Sequence, residues 1–365
     1  MALYAIGDLH LCLGAPKPMD IFGGAWVGYM DKLKQGLSVI TEADTTVLLG
    51  DLSWALDLEN AKEDFAFINA IPGRKIILKG NHDYWWSTVA KFEKFCQANG
   101  FENMFLLNNN CFTYEDVAIC GTRGWFFEEE RSGEHDEKVF KRELLRLEAS
   151  LKAAGEKQKL VFLHYPPRYK GYTCQEILDL LEKYEVRRCY YGHLHGPSHK
   201  LAMEGMWDGV SFHLVAADFI DFKPVQIFTT LINPKRNIPL NVSNIHGITN
   251  EMVEFSPFFE EVKDAFSEFI RGSILVGHNI SFDLSFLASE GVNFLDLDVK
   301  IVDTLFLSRN LIDKKYIENY KLGTLCKYFC LDYFNYHNAT EDVLGTSYVF
   351  MNLLNLVFID EVIDF

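Results

Sequence analysis

The sequence LYAIGDLH, residues 3–10, joins a short apolar run to a turn that carries an acid and a histidine. A four-residue apolar run followed by glycine predicts a buried strand and a sharp turn. In open α/β sheets, active sites lie just beyond the carboxyl ends of the strands. The stretch therefore predicts an α/β fold with a functional site that begins at Asp8 and His10.

The same arrangement recurs through the first half of the chain. Apolar runs at 46–49, 75–78, 160–163 and 188–191 each end beside acids, histidines or an asparagine. Taken alone, such a residue is more often a turn former or a satisfied polar group than a metal ligand. Five strand ends that converge on one edge predict a shared site instead. Its candidate ligands are Asp8, His10, Asp51, Asn81, His164, His193 and His195.

Helical patterns alternate with these apolar runs, which predicts α/β layering for the first part of the chain. Apolar residues recur at helical spacing in 30–40 and 177–181, for example. Past Phe228 an Asn- and Pro-rich segment leads into a region with further helical patterns. We therefore predict two domains, 1–228 and 229–365.

The composition predicts a cytoplasmic protein that does not enter the membrane. No leader pattern precedes the first strand, and no apolar run approaches the roughly 20 residues that span a bilayer. The formal net charge of -16 repels polyanions, and no local basic patch stands out. The eight cysteines form no CxxC pair, so we expect reduced and mostly buried thiols.

The order of the motifs Asp-x-His, Gly-Asp, Gly-Asn-His-Asp, His and Gly-His-x-His matches one known family. On these motifs, residues 1–228 resemble the calcineurin-like metallophosphoesterases. The resemblance implies a double β-sandwich flanked by helices, with two divalent metals in the loops at one edge. It implies one metal held by Asp8, His10, Asp51 and His195, and another held by Asp51, Asn81, His164 and His193, with Asp51 as the bridge.

The chemistry of these residue types agrees with a dinuclear phosphoesterase. Carboxylate, imidazole and amide donors suit Mn, Fe or Zn, and no cysteine is needed. Two such ions would clamp phosphoryl oxygens and activate a bridging water to hydrolyse a phosphate mono- or diester. His82 is the predicted general acid, with Asp83 orienting it. A structural role beside the ligands is the alternative for His82.

The residues that would select the substrate are less sharply indicated. Arg123 is a candidate phosphate-binding residue, and a surface salt bridge is the equally weighted alternative. Trp54, Trp85 and Trp86 flank the ligand loops and could stack on a base. Packing between sheet and helix is the favoured interpretation for these tryptophans.

Residues 229–365 resemble a second family, the DEDDh 3'-5' exonucleases of the DNA polymerase III proofreading type. The segments LINP at 231–234, HGIT at 246–249, VGHNISFD at 276–283 and HNATED at 337–342 carry the resemblance. It implies a ribonuclease-H-like α/β fold. It also implies that Asp283 and Asp342 are two of the family's four carboxylates and that His337 is its general base.

The opening Asp-x-Glu strand of that family is missing from this chain. Asp218 and Asp221 are the nearest acids upstream, and their spacing is wrong for it. Two-metal hydrolysis needs more carboxylates than the two that remain, so we expect this incomplete segment to be inactive as an exonuclease. Loss of a central strand also predicts unpaired backbone edges that another chain could complement.

Three functions follow from these patterns. The leading prediction is a metal-dependent hydrolase of a phosphate ester. The second is a nuclease acting on DNA or RNA, in which the C-terminal part contributes nucleic-acid binding. The third is a binding or scaffold protein with both sites inactive, which the intact set of first-site ligands disfavours.

Overall fold

The computed structural model of the chain describes residues 2–115, 117–126, 134–169, 171–227, 231–254, 256–330 and 339–362. The chain divides into two units, Met1–Thr229 and Thr230–Phe365. The predicted boundary residue Phe228 lies outside the described residues. Among the described residues, no helix is both long and apolar enough to span a membrane.

The first unit is built on two sheets of largely parallel strands. The first sheet has the order β13-β1-β2-β3-β4, and the second has the order β11-β12-β10-β7-β6-β5. The strands are β1 Leu3–Ile6, β2 Thr45–Leu48, β3 Arg74–Ile77, β4 Met104–Leu106, β5 Phe112–Tyr114, β6 Val117–Thr122, β7 Gln158–Leu163, β8 Arg168–Tyr169, β9 Tyr172–Thr173, β10 Arg188–Tyr191, β11 Gly205–Trp207, β12 Val210–Leu214 and β13 Val225–Ile227. The antiparallel members lie at the sheet edges, where β13 pairs with β1, β11 with β12 and β5 with β6.

Helices cover the outer face of each sheet. They are α1 Tyr29–Leu37, α2 Lys62–Ala70, α3 Val89–Asn99, α4 Glu134–Ala153 and α5 Gln175–Lys183. Ala5 and Phe162 belong to one core between the sheets, whereas Ile6 and Val161 belong to separate cores beneath the helices. Because strands covered on both faces are apolar throughout, the short continuous apolar runs of the sequence are explained. The prediction of a double β-sandwich flanked by helices is confirmed.

The ligand-bearing strands do not share one sheet, so the expectation of a single converging sheet edge is wrong in that respect. β1, β2 and β3 belong to the first sheet, whereas β7 and β10 belong to the second. Gly7 joins the two, because its N–H donates to Val215 O at 2.8 Å and its carbonyl accepts from Ala217 N at 3.0 Å. A strand that is apolar on both faces can pack against a helix or another sheet, and the sequence pattern alone does not distinguish these.

The second unit contains one pair of parallel strands and several helices. The strands are β14 Ile274–Gly277 and β15 Lys300–Asp303. The helices are α6 Leu240–His246, α7 Asn250–Val253, α8 Phe259–Ile270, α9 Ser281–Ser289, α10 Thr304–Leu311, α11 Leu322–Tyr328 and α12 Ala339–Val362. Ile274 and Ile301 are 59% and 50% exposed. The described part of this unit is therefore an α/β segment with a short, open sheet, as an incomplete ribonuclease-H-like fold requires.

Candidate metal centre

The fold brings all seven predicted ligands together in one place. His10 Nε2 lies 3.3 Å from His195 Nε2, which in turn lies 3.5 Å from Asp8 Oδ1. On the other side, Asn81 Oδ1 lies 2.7 Å from His164 Nε2 and 2.9 Å from His193 Nδ1. Asp51 Oδ2 lies between the two groups, 3.9 Å from His10 Nε2 and 3.6 Å from His164 Nε2.

At four of the ligands the backbone has a positive φ, a conformation that residues other than glycine rarely adopt. Asp8, His10, Asp51 and His193 have φ values of 60°, 46°, 50° and 73°. Such residues cost free energy on the order of 1–3 kcal/mol each and persist where the surrounding structure holds them, often at functional sites. The turns after the strands therefore hold the backbone of these four residues in a strained conformation, which sequence patterns do not reveal.

Two glycines allow the ligand loops to approach one another. A Cβ added at Gly80 would lie 2.1 Å from Asp51 Oδ1, and one added at Gly192 would lie 2.2 Å from Asp8 Oδ2. Either contact is far shorter than a van der Waals separation. Glycine is therefore required at both positions for the carboxylates to keep their places.

Asp83 has a different position from the one expected. Its Oδ2 accepts hydrogen bonds from Asp51 N and Gly80 N, and its Oδ1 accepts from Leu52 N and Trp85 Nε1, at 2.7–2.9 Å. These four donors occupy both carboxylate oxygens, and none of the hydrogen bonds of Asp83 in the described structure reaches the His82 ring. Asp83 thus ties the Asp51 loop to the loop that follows β3, rather than orienting His82.

His82 borders the ligands and is half buried. Its ring lies 6.0 Å from that of His10 and 4.6 Å from that of Trp54, and Tyr84 Oη lies 3.5 Å from its Nδ1. Lys17 Nζ lies 3.1 Å from the centroid of the Trp54 ring. Burial and the charge of Lys17 lower the pKa of His82. Lys17 is a cation at the rim of the centre that sequence reasoning missed, because no motif includes the loop between β1 and α1.

Asp218 is a second residue that the motifs did not indicate. It follows β12, is 8% exposed, and lies 2.8 Å through Oδ1 from Nδ1 of His195. The sequence interpretation considered Asp218 only as a misplaced exonuclease acid. Its relation to His195, 23 residues earlier in the chain, becomes visible only when the loops after β10 and β12 are placed side by side.

The donor set fits divalent cations. His10 Nδ1 is buried and has no hydrogen-bond partner among the described residues, whereas Nε2 of the same ring faces Nε2 of His195 at 3.3 Å. Two neutral imidazole nitrogens at this distance repel each other unless a proton or a cation lies between them. Asp8, His10 and His195 form one group close enough to hold an ion, and Asp8, Asp51 and His164 form another.

Burial and neighbouring charges determine the protonation of the ligands when no cation is bound. Desolvation lowers the pKa of His164 to about 3, and desolvation with nearby carboxylates raises the pKa of Asp51 well above its usual range. Although burial lowers it, hydrogen bonds and charges from Asp218 and Asp8 raise the pKa of His195 to about 10. Because these groups bind protons more tightly when their pKa is raised, protons compete with a cation for Asp51 and His195, and the cation affinity is expected to fall as the pH falls.

Of the predicted substrate contacts, Arg123 and Trp85 are engaged in other interactions, whereas Trp54 lies at the centre. The Arg123 guanidinium lies 3.3 Å from Glu143 Oε1, and this carboxylate also accepts from Thr122 and Arg146. Arg123 therefore takes the salt-bridge alternative. Trp85 is 2% exposed and donates to Asp83, as core packing predicts. The Trp54 ring stacks on His10 with centroids 4.8 Å apart.

The acids predicted for the exonuclease site lie on two helices of the second unit. Asp283 is in the first turn of α9 and Asp342 is in α12, while His337 lies outside the described residues. Within the described ranges, the groups of acids and histidines close enough to hold an ion contain neither Asp283 nor Asp342. Asp303 caps α10 by accepting from Leu305 N at 2.8 Å.

Comparison with known proteins assigns a different family to each part of the chain. A family model described as calcineurin-like phosphoesterase matches residues 1–197, and one described as exonuclease matches residues 215–350. Both are hydrolase families that use divalent metal ions. The start of the second match, at residue 215, precedes Asp218 and β13, which belong to the first unit.

The chain is similar to bacterial replication proteins over its exonuclease region. It is 38% identical over 133 residues to a DNA polymerase III PolC-type of Caldanaerobacter subterraneus, covering 36% of this chain and 9% of that protein. It is 33% identical over 135 residues to the DNA polymerase III subunit epsilon of Rickettsia conorii, covering 35% of this chain and 57% of that protein. A solved structure, exonuclease X in complex with 5' overhanging duplex DNA, is 27% identical with a TM-score of 0.28, covering 36% of this chain and 74% of that one. The chain spans about a tenth of the PolC-type relatives.

Proposed function

The chain belongs to the calcineurin-like phosphoesterase family, and on that premise we propose that its first unit hydrolyses phosphate mono- or diesters with two divalent metal ions. The observation that carries the proposal is the position of Asp51 Oδ2, within 3.9 Å of one imidazole group and 3.6 Å of the other. One oxygen between two sets of donors is the arrangement that a bridging ligand requires.

The family resemblance implies two ligand sets around this position. Asp8, His10, Asp51 and His195 would hold one ion, and Asp51, Asn81, His164 and His193 would hold the other. The oxygen and nitrogen donors suit Mn, Fe or Zn. Ions bound there would supply Lewis-acid stabilisation of the phosphoryl oxygens and an activated water nucleophile.

The protein's own groups would handle the leaving group. His82 borders the ligands, is half buried, and is not needed by either ligand set. We propose that its protonated ring donates a proton to the departing ester oxygen. Lys17, beside Trp54, would add a positive charge on the side where an anionic ester approaches.

The direct test is hydrolysis of a chromogenic phosphomonoester and a chromogenic phosphodiester by the full chain loaded with Mn²⁺. We expect turnover of at least one of the two esters, loss of activity after dialysis against a chelator, and recovery when Mn²⁺ is restored. The response to Mg²⁺, Fe²⁺ and Zn²⁺ would identify the preferred ion. Metal-loaded protein that cleaves neither ester would contradict the proposal.

The exonuclease match supports nuclease activity as a second candidate, in which the second unit contributes nucleic-acid binding to the first site. We propose that the second unit is itself catalytically inactive, because two of the four expected carboxylates are absent and the remaining two do not belong to a metal-binding group of the described residues.

We expect Asp283→Asn combined with Asp342→Asn to leave any Mn²⁺-dependent cleavage of a labelled single-stranded oligonucleotide unchanged within about twofold, because surface substitutions away from a working site have small effects. Asp51→Asn should abolish the same cleavage. A large loss in the double variant, with ester hydrolysis retained, would show that the second unit has a working nuclease site.

A further inference from the structure

Asp218 is a buried acid of the first unit that belongs to neither ligand set and contacts one of the proposed ligands. Its Oδ1 lies 2.8 Å from His195 Nδ1, and its Oδ2 accepts from Gly196 N at 3.1 Å and lies 3.3 Å from His199 Nε2. The side chain is 1% exposed. The carboxylate therefore holds both the ring of His195 and the backbone of the residue that follows it.

The hydrogen bond to Asp218 determines which nitrogen of His195 can bind a cation. A carboxylate only accepts, so Nδ1 of His195 must be the donor and carry the proton. In the neutral ring that binds a cation, Nε2 is then the nitrogen with the free lone pair, and it is this atom that lies 3.5 Å from Asp8 Oδ1 and 3.3 Å from His10 Nε2. The ring thus presents its basic nitrogen to the group that would hold an ion.

The neighbouring imidazole is held differently. In the part of the chain that the structure describes, His10 Nδ1 has no hydrogen-bond partner, and the ring is restrained by Trp54, stacked at 4.8 Å, and by Trp26, at 5.7 Å edge to face. The His195 ring meets Trp26 at 5.7 Å and His10 at 5.1 Å, both edge to face, and its side chain is 30% exposed. Its orientation therefore depends on a polar anchor, which Asp218 provides.

We propose that Asp218 is a positioning residue for the metal position formed by Asp8, His10 and His195. The proposal rests on the proposed function, because it takes His195 as a ligand. Hydrogen bonds of this kind to ligating histidines fix the ring and raise its basicity, and their loss weakens metal affinity by about 10- to 100-fold. It also assigns residues 215–218, which the exonuclease family model matches, to the phosphoesterase centre.

The test is a titration of the metal-free full chain with Mn²⁺ by calorimetry and with Co²⁺ by visible absorption. In Asp218→Ala we expect the affinity for one of two bound ions to fall about 10- to 100-fold, with the other affinity retained and a changed Co²⁺ spectrum. Asp218→Asn keeps an acceptor oxygen and should lose less. The matched control is Asp221→Asn, three residues away, where the carboxylate is 75% exposed and pairs with Lys223.

The outcomes separate this inference from the proposed function. Wild-type affinities for both ions in Asp218→Ala would overturn the role of Asp218. If that variant does not fold, as judged by thermal unfolding with chelator present, the near-isosteric Asp218→Asn decides in the same titration. Wild-type protein that binds two ions but cleaves no ester would overturn only the proposed function. A wild type that binds no transition-metal ion would overturn both.

Discussion

Asp51→Asn is expected to lower the rate of ester hydrolysis by about 10²- to 10³-fold, because each divalent ion contributes several kcal/mol of transition-state stabilisation. Asp51 is the proposed bridging ligand, with Oδ2 3.9 Å from His10 Nε2 and 3.6 Å from His164 Nε2, and an amide there binds cations more weakly than a carboxylate. The measurements are kcat/KM on the chromogenic esters and metal content by elemental analysis. We expect bound metal to fall together with activity.

Stability distinguishes lost metal binding from lost folding in this variant. Burial raises the pKa of Asp51 well above its usual range, so the folded state holds the proton more tightly than the unfolded state does. As the pH rises from the pKa of Asp51 in the unfolded state towards its raised pKa in the folded state, the metal-free folded state therefore loses stability relative to the unfolded state. At pH 7 with chelator present, Asp51→Asn should unfold at an equal or higher denaturant concentration than the wild type. Asp57→Asn, in the exposed part of the same loop, is the control.

His82→Gln is expected to lower kcat by about 10²-fold or more for an ester with a poor leaving group, since general acid catalysis contributes 10²- to 10⁴-fold. For a nitrophenyl ester, whose leaving group needs little protonation, the loss should be smaller. Metal content should not change, because His82 belongs to neither ligand set. Equal losses for both kinds of ester would contradict the role of His82 as the acid.

The pH profile gives an independent check on the same residue. A general acid must be protonated, so the rate should decline as the pH rises through the pKa of His82, which burial and the charge of Lys17 lower. Removing that charge in Lys17→Met should raise the pKa and move the decline to higher pH. In His82→Gln this limb of the profile should disappear. A limb that survives unchanged would belong to another group.

The sequence predicted the elements that carry local signals. Each of β1, β2, β3, β7 and β10 ends in a short polar motif, and the structure has all of these strands within a residue or two of the predicted runs. The ligand residues could be predicted because carboxylates and imidazoles directly follow apolar runs. The layered fold could be predicted because strands that are apolar on both faces need cover on both sides.

The features that could not be predicted from the sequence depend on contacts between distant segments of the chain. Asp218 reaches His195 only through the parallel pairing of β10 with β12. Asp83 directly follows His82 in the sequence, which suggested that it orients that ring. Its four hydrogen-bond donors come instead mainly from the backbone of two loops. Arg123 is paired with Glu143 of α4, twenty residues later. Backbone donors and tertiary ion pairs leave no periodic signal.

The antiparallel pairing of β13 with β1 joins the last strand of the first unit to its first. During synthesis on the ribosome, β1 emerges first and waits for almost the whole unit before its outer neighbour arrives. A pairing of such long sequence separation is slow to form. The outer edge of β1 therefore stays unpaired until the chain has been made at least as far as Val225–Ile227.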